Sequence, residues 1–159
     1  MAVRRLMAVL VTCLVAGLAR PAAEETLAEF DRRITSELRA RDAAAAGLFE
    51  QANAARDRGD RAAAIALYEQ VRAKQPAFTH ATRRLCGALL NAGRVADGKA
   101  LCREAATVDP SALNQASFAQ SLVWSTGDPP PEADRQTAAR ICASLITQAS
   151  NDLEVQRIC

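Results

Sequence analysis

The chain is predicted to fold as an all-α protein, a short solenoid of antiparallel helix pairs. Three observations carry that expectation. Gly59, Gly93 and Gly127 stand 34 residues apart, and Pro76 and Pro110 each follow a glycine by 17. Self-similarity at a fixed period of roughly 20–50 residues marks stacked supersecondary units. Between each glycine and its proline, apolar residues recur at helical spacing. Aromatic residues make up only 4% of the 159, and alanine is abundant. Such cores are built from close-packed helices with small contact residues, not from sheets rich in aromatic and β-branched side chains.

Taken in order, residues 1–23 read as a signal peptide. Arg4 and Arg5 precede an uncharged run from Leu6 to Ala19, followed by Arg20-Pro21-Ala22-Ala23. A basic start, an apolar run and small residues at its end are the export pattern. At 1.5 Å per residue the run reaches about 21 Å, short of the ~30 Å hydrocarbon core. Cleavage after Ala19 and after Ala23 both remain open. So do a retained anchor and a lipid-modified Cys13, although Thr12 is a poor residue before a lipid-bearing cysteine. Removal of the segment takes Arg4, Arg5 and Arg20 with it. The 20 basic residues become 17 against 18 acids, so a net charge of +2 becomes −1. That balance offers no basic face for displacing phosphate counterions, so nucleic acid is not an expected partner.

Residues 24–42 read as an amphipathic flanking helix, with Leu27, Phe30, Ile34 and Leu38 on one stripe. Glu24 and Glu25 are expected in its first turn, where acids favour the helix dipole. It either continues into the next helix or breaks near Asp42. The stripe suits a cap on the stack or a short coiled-coil dimer seam.

The repeat domain is expected over 43–159. A first unit, 45–78, places Leu48, small Ala52 and Ala64, Gly59, Tyr68, Val71 and Pro76 in sequence. A second, 79–112, places Thr82, Cys86, Gly93, Gly98, Cys102, Ala105 and Pro110 at the matching positions. Small residues let two helices approach. Glycine takes positive φ to end the first helix, and proline stops the second. In these residues the chain resembles the tetratricopeptide repeat, a 34-residue helix–turn–helix unit. A third unit, 113–150, begins with Ala116, Ala119, Val123 and Gly127, then departs through Asp128-Pro129-Pro130-Pro131. Its second helix is expected near 132–149, with Ala138 and Cys142 facing inward. Ser150-Asn151-Asp152 reads as a turn, and 152–159 as a short closing helix.

On that repeat arrangement Cys86 and Cys102 face each other across the turn at Gly93, and Cys142 and Cys159 bracket the turn at Ser150. Four cysteines remain beyond Cys13, and an even number in an exported chain favours bridges, here Cys86–Cys102 and Cys142–Cys159. The alternative is that Cys86 and Cys102 are small core residues. No Cys-x-x-Cys pair occurs, and His80 is a single histidine, so neither redox catalysis nor a metal site is expected. No nucleophile elbow, phosphate loop or zinc-protease motif is present either. Neither enzymatic activity nor a cofactor is therefore expected.

The resemblance implies a concave groove lined by the first helix of each unit. It nominates Phe49, Asn53, Arg56 and Asp57 in the first unit, and His80, Arg83, Leu90 and Asn91 in the second. In the third it nominates Asn114, Ser117, Ser121 and Trp124. Phe49 stands where members that clamp a C-terminal carboxylate carry lysine, so that clamp is not expected. The implied function is a non-enzymatic adaptor of the cell envelope, periplasmic or secreted, binding a peptide or helix of another protein. An oligomeric subunit assembled through 24–42, or a binder of a small envelope ligand, are the other readings. Contact with a membrane is expected only through an uncleaved signal or a lipid anchor.

Overall fold

The computed structural model describes residues 25–148 and 152–159. The export pattern of residues 1–23 and the turn residues Ser150 and Asn151 lie outside them. Among the described residues run eight α-helices and no strand. They are α1 Leu27–Arg41, α2 Ala43–Asp57, α3 Arg61–Lys74, α4 Thr79–Asn91, α5 Val95–Val108, α6 Ala112–Val123, α7 Glu132–Gln148 and α8 Leu153–Ile158. Consecutive helices pack on one another from α1 to α8, and α6 also touches α4 and α8. The fold is an all-α stack of hairpins α2/α3, α4/α5 and α6/α7, flanked by α1 and α8.

The first helix starts later than its acidic residues imply. Thr26 caps it by accepting from the Glu29 amide, while Glu29 reaches back to the Thr26 amide, a reciprocal pair that satisfies two orphan donors. Glu25 therefore lies outside the first turn and accepts from Arg33 at 2.8 Å. The chain breaks at Asp42, which serves two helices. Its amide donates to Leu38 as α1 ends, and its carboxylate accepts from the Ala45 amide at 2.9 Å as α2 begins. Gln75, at the end of α3, donates to the same carboxylate at 3.2 Å. The Ala45 amide, then Gln75, hold this carboxyl below its ordinary range.

Gly59 and Gly93 close α2 and α4 in the left-handed region, at φ 78° and 79°. In each turn the residue after the glycine donates back to the helix, Asp60 to Ala55 and Arg94 to Leu89, both at 2.9 Å. This is the six-to-one bond of a Schellman ending, which satisfies otherwise orphaned carbonyls. Gly127 has no such role, contrary to expectation. The third unit's first helix ends at Val123, four residues before the glycine instead of two, and Trp124 leaves it in extended backbone at φ −69°, ψ 128°. Positive φ is confined to Gly59 and Gly93 among the described residues. The indole packs on the Cys86–Cys102 cluster, which takes the chain out of the helix early. The prolines then hold the connection extended.

The main core joins α1 to α4. Ile34 and Leu38 are fully buried together with Ala45, Ala46, Phe49, Ala52 and Tyr68. At the α4/α5 crossing the helices approach so closely that a β-carbon on Gly98 would stand 2.7 Å from Leu90 Cγ and 3.1 Å from the Cys86 carbonyl. The structure joins Cys86 to Cys102 there, and Cys142 to Cys159 at the other end, with Cα separations of 5.4 and 5.2 Å. Both spacings suit a bridge. The second bridge holds α8 on the stack, where Val155 is fully buried beside Ala116 and Leu145.

Candidate functional site

The first helices of the units, α2, α4 and α6, bring their side chains to one face, and a groove of about 290 Å³ runs along it. Its floor is α4, where Arg83, Gly87, Leu90 and Asn91 follow one helical stripe. Its facing wall is α6, with Leu113, Ser117, Gln120 and Trp124 at spacings of four, three and four. The two flanking helices bound it: α1 contributes Leu27 and Phe30, and α8 contributes Arg157 and Ile158.

Of the nominated residues, Arg56, Arg83, Leu90, Asn91, Ser117 and Trp124 line this groove. The others have different work. Phe49 is fully buried between Tyr68 and Phe78, with ring centroids at 5.8 and 5.2 Å, so it cannot anchor a partner. Asn53 is buried and accepts from the Tyr68 hydroxyl at 2.7 Å. Burial of that phenol pushes its pKa up. Asp57 is exposed and accepts from Arg56 at 2.8 Å. Asn114 is buried in the joint between the second and third units. It donates to the Asp109 carbonyl and carboxylate at 2.9 Å, and Asp109 also accepts from Thr79 at 3.2 Å. Ser121 is buried and donates to the Phe118 carbonyl at 2.7 Å. In α6 two of the nominated positions thus turn inward, because the groove-facing stripe lies one residue earlier, on Leu113 and Gln120.

His80 is held away from the groove. Its ring meets Phe30 at 5.5 Å and Phe78 at 5.2 Å, both edge to face. Burial there, and Arg83 beside it, push its pKa down to about 4, so the ring is neutral at pH 7.

What the sequence reading missed is that α1, besides capping the stack, reaches the groove. Its stripe is used inside the chain, with Ile34 and Leu38 buried against α2. Its next face engages the residues that begin the groove. Asp31 accepts from Arg84 at 2.5 Å and from Arg56 at 3.3 Å. The Arg83 guanidinium lies 5.8 Å from the Phe30 ring centroid. Arg84 was also missed. A pair of adjacent arginines on a helix is a weak signal until the fold shows that both reach the same groove.

Among the described residues no group of side chains is placed to hold a metal ion, and no helix is long and apolar enough to cross a membrane. This is the class of stacked helical hairpins that offers a groove and carries no evident catalytic constellation. A family model for the tetratricopeptide repeat matches residues 55–118, from the end of α2 into α6. With the paired helices this match supports a tetratricopeptide-like repeat over that stretch, and such repeats are protein–protein interaction modules, generally without catalysis of their own. No curated protein and no solved structure matches the chain.

Proposed function

We propose that the chain is a non-catalytic adaptor of the cell envelope that grips a segment of a partner protein in the groove between α4 and α6. The observation that carries this reading is the groove itself. It combines apolar side chains, amide side chains and guanidinium groups on one concave face, a mixture that suits peptide recognition. The two cystine bridges favour an oxidising compartment, in line with the export pattern of residues 1–23. Assembly through the α1 stripe has less support, because Ile34 and Leu38 of that stripe are already buried in the core shared with α2.

The test is a photo-crosslinking residue at Gln120 in the groove, compared with one at Gln70, exposed on α3. In the native envelope, Gln120 should capture one dominant protein and Gln70 should not. Equal capture at both positions, or none at Gln120, would refute the reading.

A further inference from the structure

We propose that the Cys142–Cys159 bridge is a redox latch on the groove. While the bond is intact α8 bounds one side of the groove, and reduction of the bond by a dithiol releases that side. The latch is a property of the chain alone. Its consequence, that a partner is held only in the oxidised state, rests on the adaptor reading.

The two bridges differ in burial, which is the first ground. Cys86 and Cys102 are 0% and 2% exposed and pack among Leu90, Phe118 and Trp124. Cys142 and Cys159 are only half-buried. Exchange requires a thiolate to reach a bridge sulfur, so the accessible bond reacts and the buried one is shielded. The second ground is how little else holds α8. It has six residues, too few for a helix to persist in water unaided. It packs on α6 and α7. Val155 is fully buried there beside Ala116 and Leu145, while Gln156 and Arg157 are exposed. The third ground is where α8 stands. Its Arg157 and Ile158 line the same groove as Leu113 and Ser117 of α6. Cys159 follows them directly, so the bond anchors this wall at its own edge.

The step is a two-electron exchange. One thiolate of the dithiol attacks a bridge sulfur, the S–S bond breaks, and the departing sulfur takes up a proton. The second thiol of the reductant loses its proton and closes on the mixed disulfide, and the other bridge sulfur leaves and is protonated. Two electrons and two protons pass to the chain, and the reductant becomes a disulfide.

The experiment titrates the intact, oxidised protein with dithiothreitol, alkylates the freed cysteines and maps them by mass spectrometry. Cys142 and Cys159 should open at a concentration at least tenfold below that which opens Cys86 and Cys102. At that point hydroxyl-radical labelling should rise at least threefold at Leu113 and Leu145 and stay unchanged at Phe49 and Tyr68. Reoxidation should restore the original pattern. Opening of both bridges together, or of the inner one first, overturns the proposal. So does labelling that stays flat at Leu113 and Leu145, rises throughout, or fails to reverse. The partner arm places the photo-crosslinking residue at Gln120 in a Cys142→Ala, Cys159→Ala background. Capture should fall at least fivefold from that of the bridged protein, and equal capture also overturns the proposal. If the bridged protein captures nothing, the adaptor reading falls and the alkylation and labelling alone decide the latch.

Discussion

Removing the second disulfide should release α8 without unfolding the rest of the stack. The segment is six residues long, and ordering six residues costs about 6–12 kcal/mol in backbone and side-chain freedom. Against this, burial of Val155 and partial burial of Ile158 contribute about 3–5 kcal/mol. The Asp152 side chain, which accepts from the Val155 amide, adds about 1 kcal/mol. The Cys142–Cys159 bridge, closing a loop of sequence separation 17, adds about 3 kcal/mol. With the bridge these terms roughly match the ordering cost. Without it the segment falls short by about 3 kcal/mol, and a helix this short cannot stand alone. Replacing Cys142 and Cys159 by alanine should therefore melt α8 and bring the Gln156 and Cys159 positions, whose amides donate to Asp152 and Val155, to the exchange rate of an unstructured segment. Trypsin should also cut after Arg157. Amides in α2 to α5 should keep their protection, because their core shares no buried residue with α8. Exchange in α8 that stays well slower than in an unstructured segment would refute the reasoning, as would an equal loss across the whole stack.

Further outcomes follow from the turns, the close crossing and the buried histidine. Gly59→Ala and Gly93→Ala should each lower stability by about 1–2 kcal/mol, since an L side chain is strained at their positive φ. Gly127→Ala should lie within about 0.5 kcal/mol of the wild type, and urea unfolding of the three variants tests the difference. Gly98→Ala gains about 1 kcal/mol in helix propensity, but the 2.7 Å approach to Leu90 Cγ makes overpacking, about 1–3 kcal/mol, the larger effect. A net loss near 1 kcal/mol is expected in wild type, turning to a gain in a Leu90→Ala background. The absence of that coupling in a double-mutant cycle would count against the packing account.

His80 should make the fold acid-sensitive. Its pKa is about 4 in the folded chain against an ordinary 6.5, so the unfolded chain binds more protons between those values. Its contribution is fully present above 6.5 and is lost as pH falls toward 4, with Arg83 adding to the cost of charging the ring and Asp109 and Glu37 opposing it. The pH 7 to pH 5 drop in stability should shrink in His80→Phe; an unchanged drop would show that other groups set it.

Elements with local causes were legible in the residues. The turn glycines of the first two hairpins, the prolines that stop α3 and α5, and the apolar stripes of α1 to α5 each act within one or two helical turns of themselves. The Thr26–Glu29 cap is equally local, a threonine with a glutamate three residues on, and it sets the helix start beyond Glu25. Gly127 kept the period of the repeat and lost its function, since Trp124 packs onto a neighbouring hairpin and ends the helix first.

The order of the helices, their antiparallel pairing and the small residues at their crossings are therefore properties of the chain read along its length. Which side chains face a partner is not. Phe49, Asn53, Asn114 and Ser121 occupy positions that would line a groove in a regular array. Here they are taken up by Tyr68 and Phe78, by Asp109 and Thr79, and by the turn of α6 itself. Arg84, Leu113, Gln120 and Arg157 reach the groove because a helix rotated by a fraction of a turn exchanges neighbours on its stripe. Rotation of that size is set by how Trp124, Gly98 and the α1 and α8 caps fill the space between hairpins, and contacts between residues distant in the chain decide it.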